Sequence, residues 1–265
     1  MRKLMSAVVG AVLAFAGTAG VMSTPAQAAT GQEYVALGDS YASGVGTGYY
    51  DSAGGDCKRS PADYPALWAA AHADYTLKDV SCSGATIADV RDKQLSALGT
   101  GTDLVTLTVG GNDAQFSSVV QACLTQSDSY CATATLWMSS YARNQMVTEL
   151  AELYQDIRSK APNARIVVLG YPRTLSPTGT CPLIDLSAAK RTAMNGLADA
   201  LAEGTAAAAA EESVEFVDVR AAFQGHGACG SDPWINDLSA GTEVFHPTLM
   251  GYLAGYDARL NEVTG

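Results

Sequence analysis

The stretch Asp103-Leu104-Val105-Thr106-Leu107-Thr108-Val109, followed at once by Gly110-Gly111-Asn112-Asp113, decides the fold. Seven residues rich in β-branched side chains read as a strand. The glycines and the amide-bearing block behind them read as a loop at its carboxyl end. The same order recurs on either side. Tyr34–Gly38 is a short apolar strand that runs into Asp39-Ser40, and Tyr75–Ser81 runs into Cys82-Ser83-Gly84-Ala85. Arg165–Leu169 and Val214–Val219 complete a set of five strands.

Helical stretches lie between them. They are expected at Asp63–Ala73, Thr86–Leu98, Ala114–Cys123, Thr135–Ser159 and Ser187–Ala210, the last with a break near Gly204. Residues 123–131 read as a polar loop. Within the longest helix, Met146, Leu150, Leu153 and Ile157 form an apolar stripe, whereas Met138, Tyr141, Gln145, Thr148 and Glu152 do not. Pro247 is expected at the first position of a terminal helix reaching about Asn261. Strands alternating with helices specify an α/β fold: a parallel sheet covered on both faces, with right-handed crossovers. No Pro/Gly/Ser-rich linker and no repeat divides the chain, so one domain is expected over residues 29–265.

Residues 1–28 have a different character. Arg2 and Lys3 precede a mostly apolar run from Leu4 to Met22, and Ala26-Gln27-Ala28 is a small-residue cleavage signal. This is the pattern of a secretory signal peptide, cut before Ala29. The product is expected to be secreted, extracellular and monomeric, with no stable membrane insertion. In the whole chain, 16 Lys+Arg face 27 Asp+Glu, a formal charge of −11. Because the leader carries only positive charges, the mature chain is more acidic still. Nucleic acid is a poor partner for such a surface. Hydrophobic residues at 48% and charged residues at 16% exclude a disordered chain.

Six cysteines lie in the mature part, none in a C-x-x-C pair. An even count in an exported chain favours three disulfides. Fifteen pairings are open. The sequential one is the simplest: Cys57–Cys82, Cys123–Cys131 and Cys181–Cys229.

In an open parallel sheet the carboxyl ends of the strands face one crevice, where ligands bind. Ser40, Gly84 and Asn112 therefore converge although they are far apart in sequence. A serine nucleophile needs a base. Of the three histidines, His72 closes an alanine-rich helix and His226 sits in a glycine-rich loop. His246, at a loop-to-helix junction on the carboxyl side of the sheet, is the best base. Oxygen charge developing on a carbonyl needs preorganised donors. The Ser40 N–H, the Gly84 N–H and the Asn112 side-chain amide could supply them.

Gly38-Asp39-Ser40-Tyr41-Ala42-Ser43-Gly44, Gly84, Gly110-Gly111-Asn112-Asp113 and His246, in that order, resemble the SGNH, or GDSL-type, hydrolase family. The closest likeness is to its secreted, disulfide-containing actinomycete lipases, esterases and phospholipases. The resemblance covers the whole mature chain. It implies a three-layer α/β/α sandwich of flavodoxin-like topology. It also implies a Ser40 nucleophile, a His246 base, and an oxyanion hole from Ser40, Gly84 and Asn112. Asp39 and Asp113 would support the loops, and no cofactor or metal is required.

The family often has an aspartate three positions before the histidine, where this chain has Glu243. Either the Glu243 carboxylate or a main-chain carbonyl between Glu243 and His246 would orient the imidazole. The chain has no G-x-S-x-G elbow, no phosphate loop and no H-E-x-x-H. Gly44-x-Gly46-x-Gly48 lacks nucleotide-loop spacing and reads as a flexible rim.

Lipid or other acyl esters are the expected substrates, with Tyr49, Tyr50, Phe116, Leu124, Pro177, Leu183, Phe223 and Trp234 as possible walls of an acyl groove. A carbohydrate acetylesterase and a non-enzymatic ligand-binding module are the alternatives.

Overall fold

The computed structural model describes residues 31–265; the expected leader at 1–28 lies outside the described residues. Five parallel strands form one sheet: β1 (Gln32–Gly38), β2 (Tyr75–Asp79), β3 (Thr102–Thr108), β4 (Arg165–Leu169) and β5 (Glu215–Val217). Their order is β2-β1-β3-β4-β5. Strand order reverses between β1 and β3, so the crevice opens at their carboxyl ends. Tyr34, Val35, Ala36 and Leu37 of β1 are fully buried, as a strand covered on both faces requires.

The helices are α1 (Ser40–Ser43), α2 (Tyr64–Ala71), α3 (Ile87–Asp89, continued by a wider turn through Gln94), α4 (Phe116–Thr125), α5 (Asp128–Arg143), α6 (Gln145–Lys160), α7 (Ala188–Glu211) and α8 (Ala258–Thr264). One layer pairs α2 with the C-terminal helical segment, and the other joins α3, α5, α6 and α7. The result is the three-layer α/β/α sandwich.

The structure corrects several boundaries. The expected loop 123–131 is a helical hairpin, because α4 runs to Thr125 and Ser127 caps α5 through Tyr130 N. The Cys123–Cys131 disulfide closes that hairpin, Cys57–Cys82 joins the loop after α1 to the loop holding Gly84, and Cys181–Cys229 joins the loops after β4 and β5.

The single long helix expected at 135–159 is two, broken at Asn144 (φ −124°, ψ −80°). α5 buries Cys131, Thr135, Ser139 and Ala142 and α6 buries Met146, Leu150, Leu153 and Ile157, a spacing of three and four that runs on unchanged across the break. The interruption is local: Asn144 closes α5, donating its side-chain amide to Ser140 O at 2.7 Å and its main-chain N to Tyr141 O at 3.2 Å.

Pro247 does not open the terminal helix. It pairs in an antiparallel bridge with Ile235, and Thr248 starts the helix by accepting Tyr252 N on its carbonyl and Gly251 N on its hydroxyl. α8 then runs to Thr264, past Asn261. β5 has three residues, fewer than the six expected.

Gly204 does not interrupt α7, which is continuous over 24 residues. A Cβ there would lie 2.0 Å from the Ala142 carbonyl oxygen, so the glycine is where α7 and α5 touch backbone to backbone. Gly204→Ala will therefore lower stability by about 2 kcal/mol or more through overpacking. Gly196→Ala, in the same helix with open space at the added carbon, will raise it by about 0.5–1 kcal/mol. Thermal unfolding of the two variants reads the contrast directly.

Candidate active site

The nucleophile turn is built by a glycine and a capping carboxylate. Gly38 has φ +129°, and a Cβ there would sit 2.3 Å from the Thr108 carbonyl oxygen. Only glycine lets β1 and β3 approach this closely at their ends. Gln94, which nothing in the sequence singles out, holds that glycine from both sides: its Oε1 accepts Gly38 N at 2.8 Å and its Nε2 donates to Gly38 O at 2.9 Å. Asp39 caps α1, accepting Tyr41 N at 2.9 Å on Oδ1. Ser40 is thus the first residue of a one-turn helix at the mouth of the crevice.

Gly84 follows Cys82, whose N donates to Gly38 O at 3.0 Å. Its φ of +83° turns the loop back on itself. Among the described residues, neither the Ser40 N–H nor the Gly84 N–H has a main-chain acceptor outside the helices and strands. Asn112 Nδ2 donates one hydrogen to Ala85 O at 2.9 Å, and its amide has a second to offer. Asp113 accepts Ile87 N at 3.1 and 3.2 Å. Asn112 and Asp113 together therefore fix the loop that presents Gly84.

His246 comes from the far end of the chain, and its Nε2 lies 2.8 Å from Ser40 Oγ. Two further residues without a sequence signal hold it there. Tyr41 donates its hydroxyl to Phe245 O at 2.5 Å, and Asn236 donates its main-chain N to His246 O at 2.9 Å. Phe245 is buried with φ +63°, a left-handed conformation that a bulky residue adopts only when its surroundings impose it.

Burial lowers the imidazole pKa to about 4, against upward pulls from the main-chain carbonyls of Glu243 and Val244. Nδ1 is buried and has no hydrogen-bond partner, and the Glu243 carbonyl accepts the His246 main-chain N at 3.1 Å. The Glu243 carboxylate is elsewhere: its Oε1 accepts the Tyr50 hydroxyl at 2.6 Å and faces Lys58 Nζ at 3.9 Å. The Glu243 side chain is thus bonded to Tyr50 and not to the ring.

Ser40, Gly84, Asn112 and His246 line one cavity of about 180 Å³. Of the eight residues expected to form an acyl groove, only Phe116 lines it. Its remaining apolar wall comes from Tyr171, Pro172, and Ala198 and Leu201 of α7. Sequence could not show this, because the helix that backs the cavity arrives from the layer behind the sheet. Pro177 and Phe223 line a separate depression, Trp234 stacks on His226 at 3.7 Å, and Leu183 projects into solvent. His72 stacks on Trp68 at 3.8 Å. Neither His72 nor His226 lines the cavity. The Gly44–Gly48 segment is no flexible rim: Gly44 terminates α1, and Gly46 is wedged against His246 and Pro247.

The environment of His246 makes a titration prediction. A folded-state pKa near 4 lies below the ordinary 6.5. Between these values the unfolded chain binds a proton that the folded chain does not. The contribution of this group to stability is complete above pH 6.5 and is lost as pH falls towards 4. In an NMR titration of the three histidines, the resonance that disappears in His246→Ala will titrate near pH 4. A midpoint above 6 would contradict the burial.

Comparison with known proteins extends this geometry. The profile of the GDSL-like Lipase/Acylhydrolase family matches residues 36–254. Lipase 1 of Streptomyces coelicolor is 44% identical over 97% of this chain and 96% of its own length. The crystal structure of phospholipase A1 from Streptomyces albidoflavus superposes with a TM-score of 0.83 at 42% identity, covering 88% of this chain and 99% of that one. The extracellular lipase of Streptomyces rimosus gives 0.83 at 43% identity, covering 87% and 99%. Likeness of that extent, over almost the full length of each relative, makes this chain a carboxylic ester hydrolase belonging to the GDSL-like lipase/acylhydrolase family.

Proposed function

We infer that the protein is a secreted serine hydrolase that cleaves carboxylic esters of lipids. The observation that carries this reading is the 2.8 Å contact between Ser40 Oγ and Nε2 of the half-buried His246, beside uncommitted N–H groups at the cavity wall. The relatives that resemble it over nearly their full length are lipases and a phospholipase A1. Its three disulfides suit the oxidising extracellular medium.

The chemistry follows from the positions. Ser40 Oγ attacks the ester carbonyl carbon as its proton passes to His246 Nε2. The carbonyl oxygen takes the electron pair and meets the Ser40 N–H, the Gly84 N–H and the Asn112 amide. Each such donor is worth about a hundred- to a thousandfold in rate. The intermediate collapses, the alcohol departs with the imidazolium proton, and the acyl group stays on Ser40. Water then enters, gives its proton to His246 and releases the acid by the same route reversed. Throughout, a main-chain carbonyl of the Glu243–Val244 turn orients Nδ1. Because burial keeps the imidazole neutral well below pH 7, the base is ready without a carboxylate partner.

Ser40→Ala will lower hydrolysis of short p-nitrophenyl esters by at least about a thousandfold while leaving circular dichroism unchanged. An organophosphonate will label Ser40 in the wild type. A folded Ser40→Ala enzyme with near-normal turnover overturns the serine mechanism.

The cavity wall of Phe116, Pro172, Ala198 and Leu201 suits an acyl chain better than a sugar hydroxyl face. Ratios of kcat/KM will favour emulsified triglyceride or phosphatidylcholine over acetyl-xylan, and medium acyl chains over acetate. A large preference for the glycan would reassign the substrate and leave Ser40 and His246 in place.

A further inference from the structure

Gly46 sits against the back of the histidine turn. A Cβ on it would lie 2.3 Å from Pro247 O, 2.7 Å from Asn236 Nδ2 and 2.9 Å from His246 Cβ. Both of its backbone polar groups are tied to that turn. Its carbonyl accepts Asn236 Nδ2 at 2.9 Å. Its N–H donates at 3.0 Å to the Tyr50 hydroxyl, which in turn donates to Glu243 Oε1 at 2.6 Å.

Glu243 lies three residues before His246 and accepts His246 N on its own carbonyl at 3.1 Å. Lys58 closes the group, with its ammonium 3.9 Å from Glu243 Oε1 and 5.7 Å above the Tyr50 ring. Lys58 follows Cys57, whose disulfide to Cys82 and main-chain bond from Ser83 N at 3.0 Å anchor this loop beside Gly84.

We propose that Tyr50 and Glu243 form a latch that holds the His246 turn against the nucleophile segment, so that both are positioning residues for the imidazole. The inference rests on the hydrolase reading above. The carboxylate in the sequence position of a triad acid has here another task. It accepts the phenol hydroxyl, and so clamps the main-chain turn whose Glu243 carbonyl holds His246 N. The other ties on this turn, from Tyr41 and Asn236, fall on Phe245 and His246, whereas Tyr50 holds its start at Glu243, in a short irregular turn after Gly241 with Phe245 at a left-handed φ. A hydrogen bond that orders this turn acts on the Ser40–His246 distance, and that distance governs proton transfer.

The latch predicts a split in the kinetics. Tyr50→Phe and Glu243→Ala will each lower kcat by about three- to tenfold with KM nearly unchanged. Glu243→Gln keeps the length and a carbonyl acceptor for the phenol, and will recover most of kcat. The Tyr50→Phe/Glu243→Ala double variant will be slower than the worse single variant by much less than the product of the two effects, because both delete the shared phenol–carboxylate bond. The acid limb of kcat/KM against pH will move only slightly, to lower pH, in Glu243→Ala and equally in Glu243→Gln, because the Glu243 charge is a minor upward pull on His246 that Lys58 opposes. A purely structural role would lower the melting temperature without this pattern of rescue and non-additivity.

Wild-type kcat in Tyr50→Phe overturns the latch, as do additive effects in the double variant. If Glu243→Gln falls as far as Glu243→Ala and both approach His246→Ala, Glu243 is the charge partner of the imidazole and the proposal is wrong. Should Glu243→Ala fail to fold, Tyr50→Phe, which removes one oxygen, decides alone. An active Ser40→Ala enzyme would overturn the hydrolase reading instead, a result independent of all four latch outcomes.

Discussion

The carboxylate of Asp39 is taken out of water at the point where β1 ends, and the site is arranged around that burial. An ionised carboxylate with so little access to solvent must find donors inside the protein. It finds Tyr41 N on one oxygen and the Tyr171 hydroxyl on the other. The first bond caps the turn that carries Ser40. The second reaches the loop after β4, and the Tyr171 oxygen also accepts Gly111 N at 3.0 Å. One carboxyl group therefore ties together the nucleophile turn, the asparagine loop and the neighbouring strand end. Burial raises the Asp39 pKa to about 7 from the usual 3.8. The folded chain holds a proton there that the unfolded chain has released. This group's favourable effect on stability is thus present at acid pH and lost as pH rises through 7. The arrangement costs stability at neutral pH and secures geometry in return.

The second half of the site is assembled across the whole chain. Ser40 and His246 are 206 residues apart, and β1, which carries the serine, is paired on both sides. The histidine instead rides on an irregular turn. Its position is set by side chains from the opposite end of the sequence: Tyr41 on the Phe245 carbonyl, and the Gly46 loop behind the ring. Tyr252 adds a third tie, donating to the Val45 carbonyl at 2.9 Å. A rigid strand end supplies the nucleophile, and a tethered turn supplies the base.

A neutral imidazole follows from the same packing. His246 is enclosed by Tyr41 and the backbone of its own turn, so its charged form is disfavoured by loss of solvent. A carboxylate beside Nδ1 would raise the pKa and strengthen the imidazolium. Main-chain dipoles do this more weakly, which leaves the base unprotonated over a wider acidic range.

Much of this was readable from residues in order. Local patterning specifies the five strands, since runs such as Arg165–Leu169 have one stable use in a covered sheet. The blocks at Ser40, Gly84, Asn112 and His246 are legible because strand ends in a parallel sheet must face one side. The break at Asn144 was not legible, because the buried positions keep one helical spacing from Cys131 to Ile157. What sequence could not supply was any contact decided by two elements packing from different layers. Gly204 looked like a helix breaker until Ala142 stood against it. Ala198 and Leu201 carried no signal of their own until α7 came to back the cavity. Glu243 held the sequence position of a triad acid, but its side-chain direction depended on Tyr50 and Lys58, nearly two hundred residues earlier. Backbone propensity and hydrophobic period are local properties and are written in the chain. The partner of a long polar side chain is chosen by whatever the folded surface brings within about 3 Å, and only the tertiary structure makes that choice.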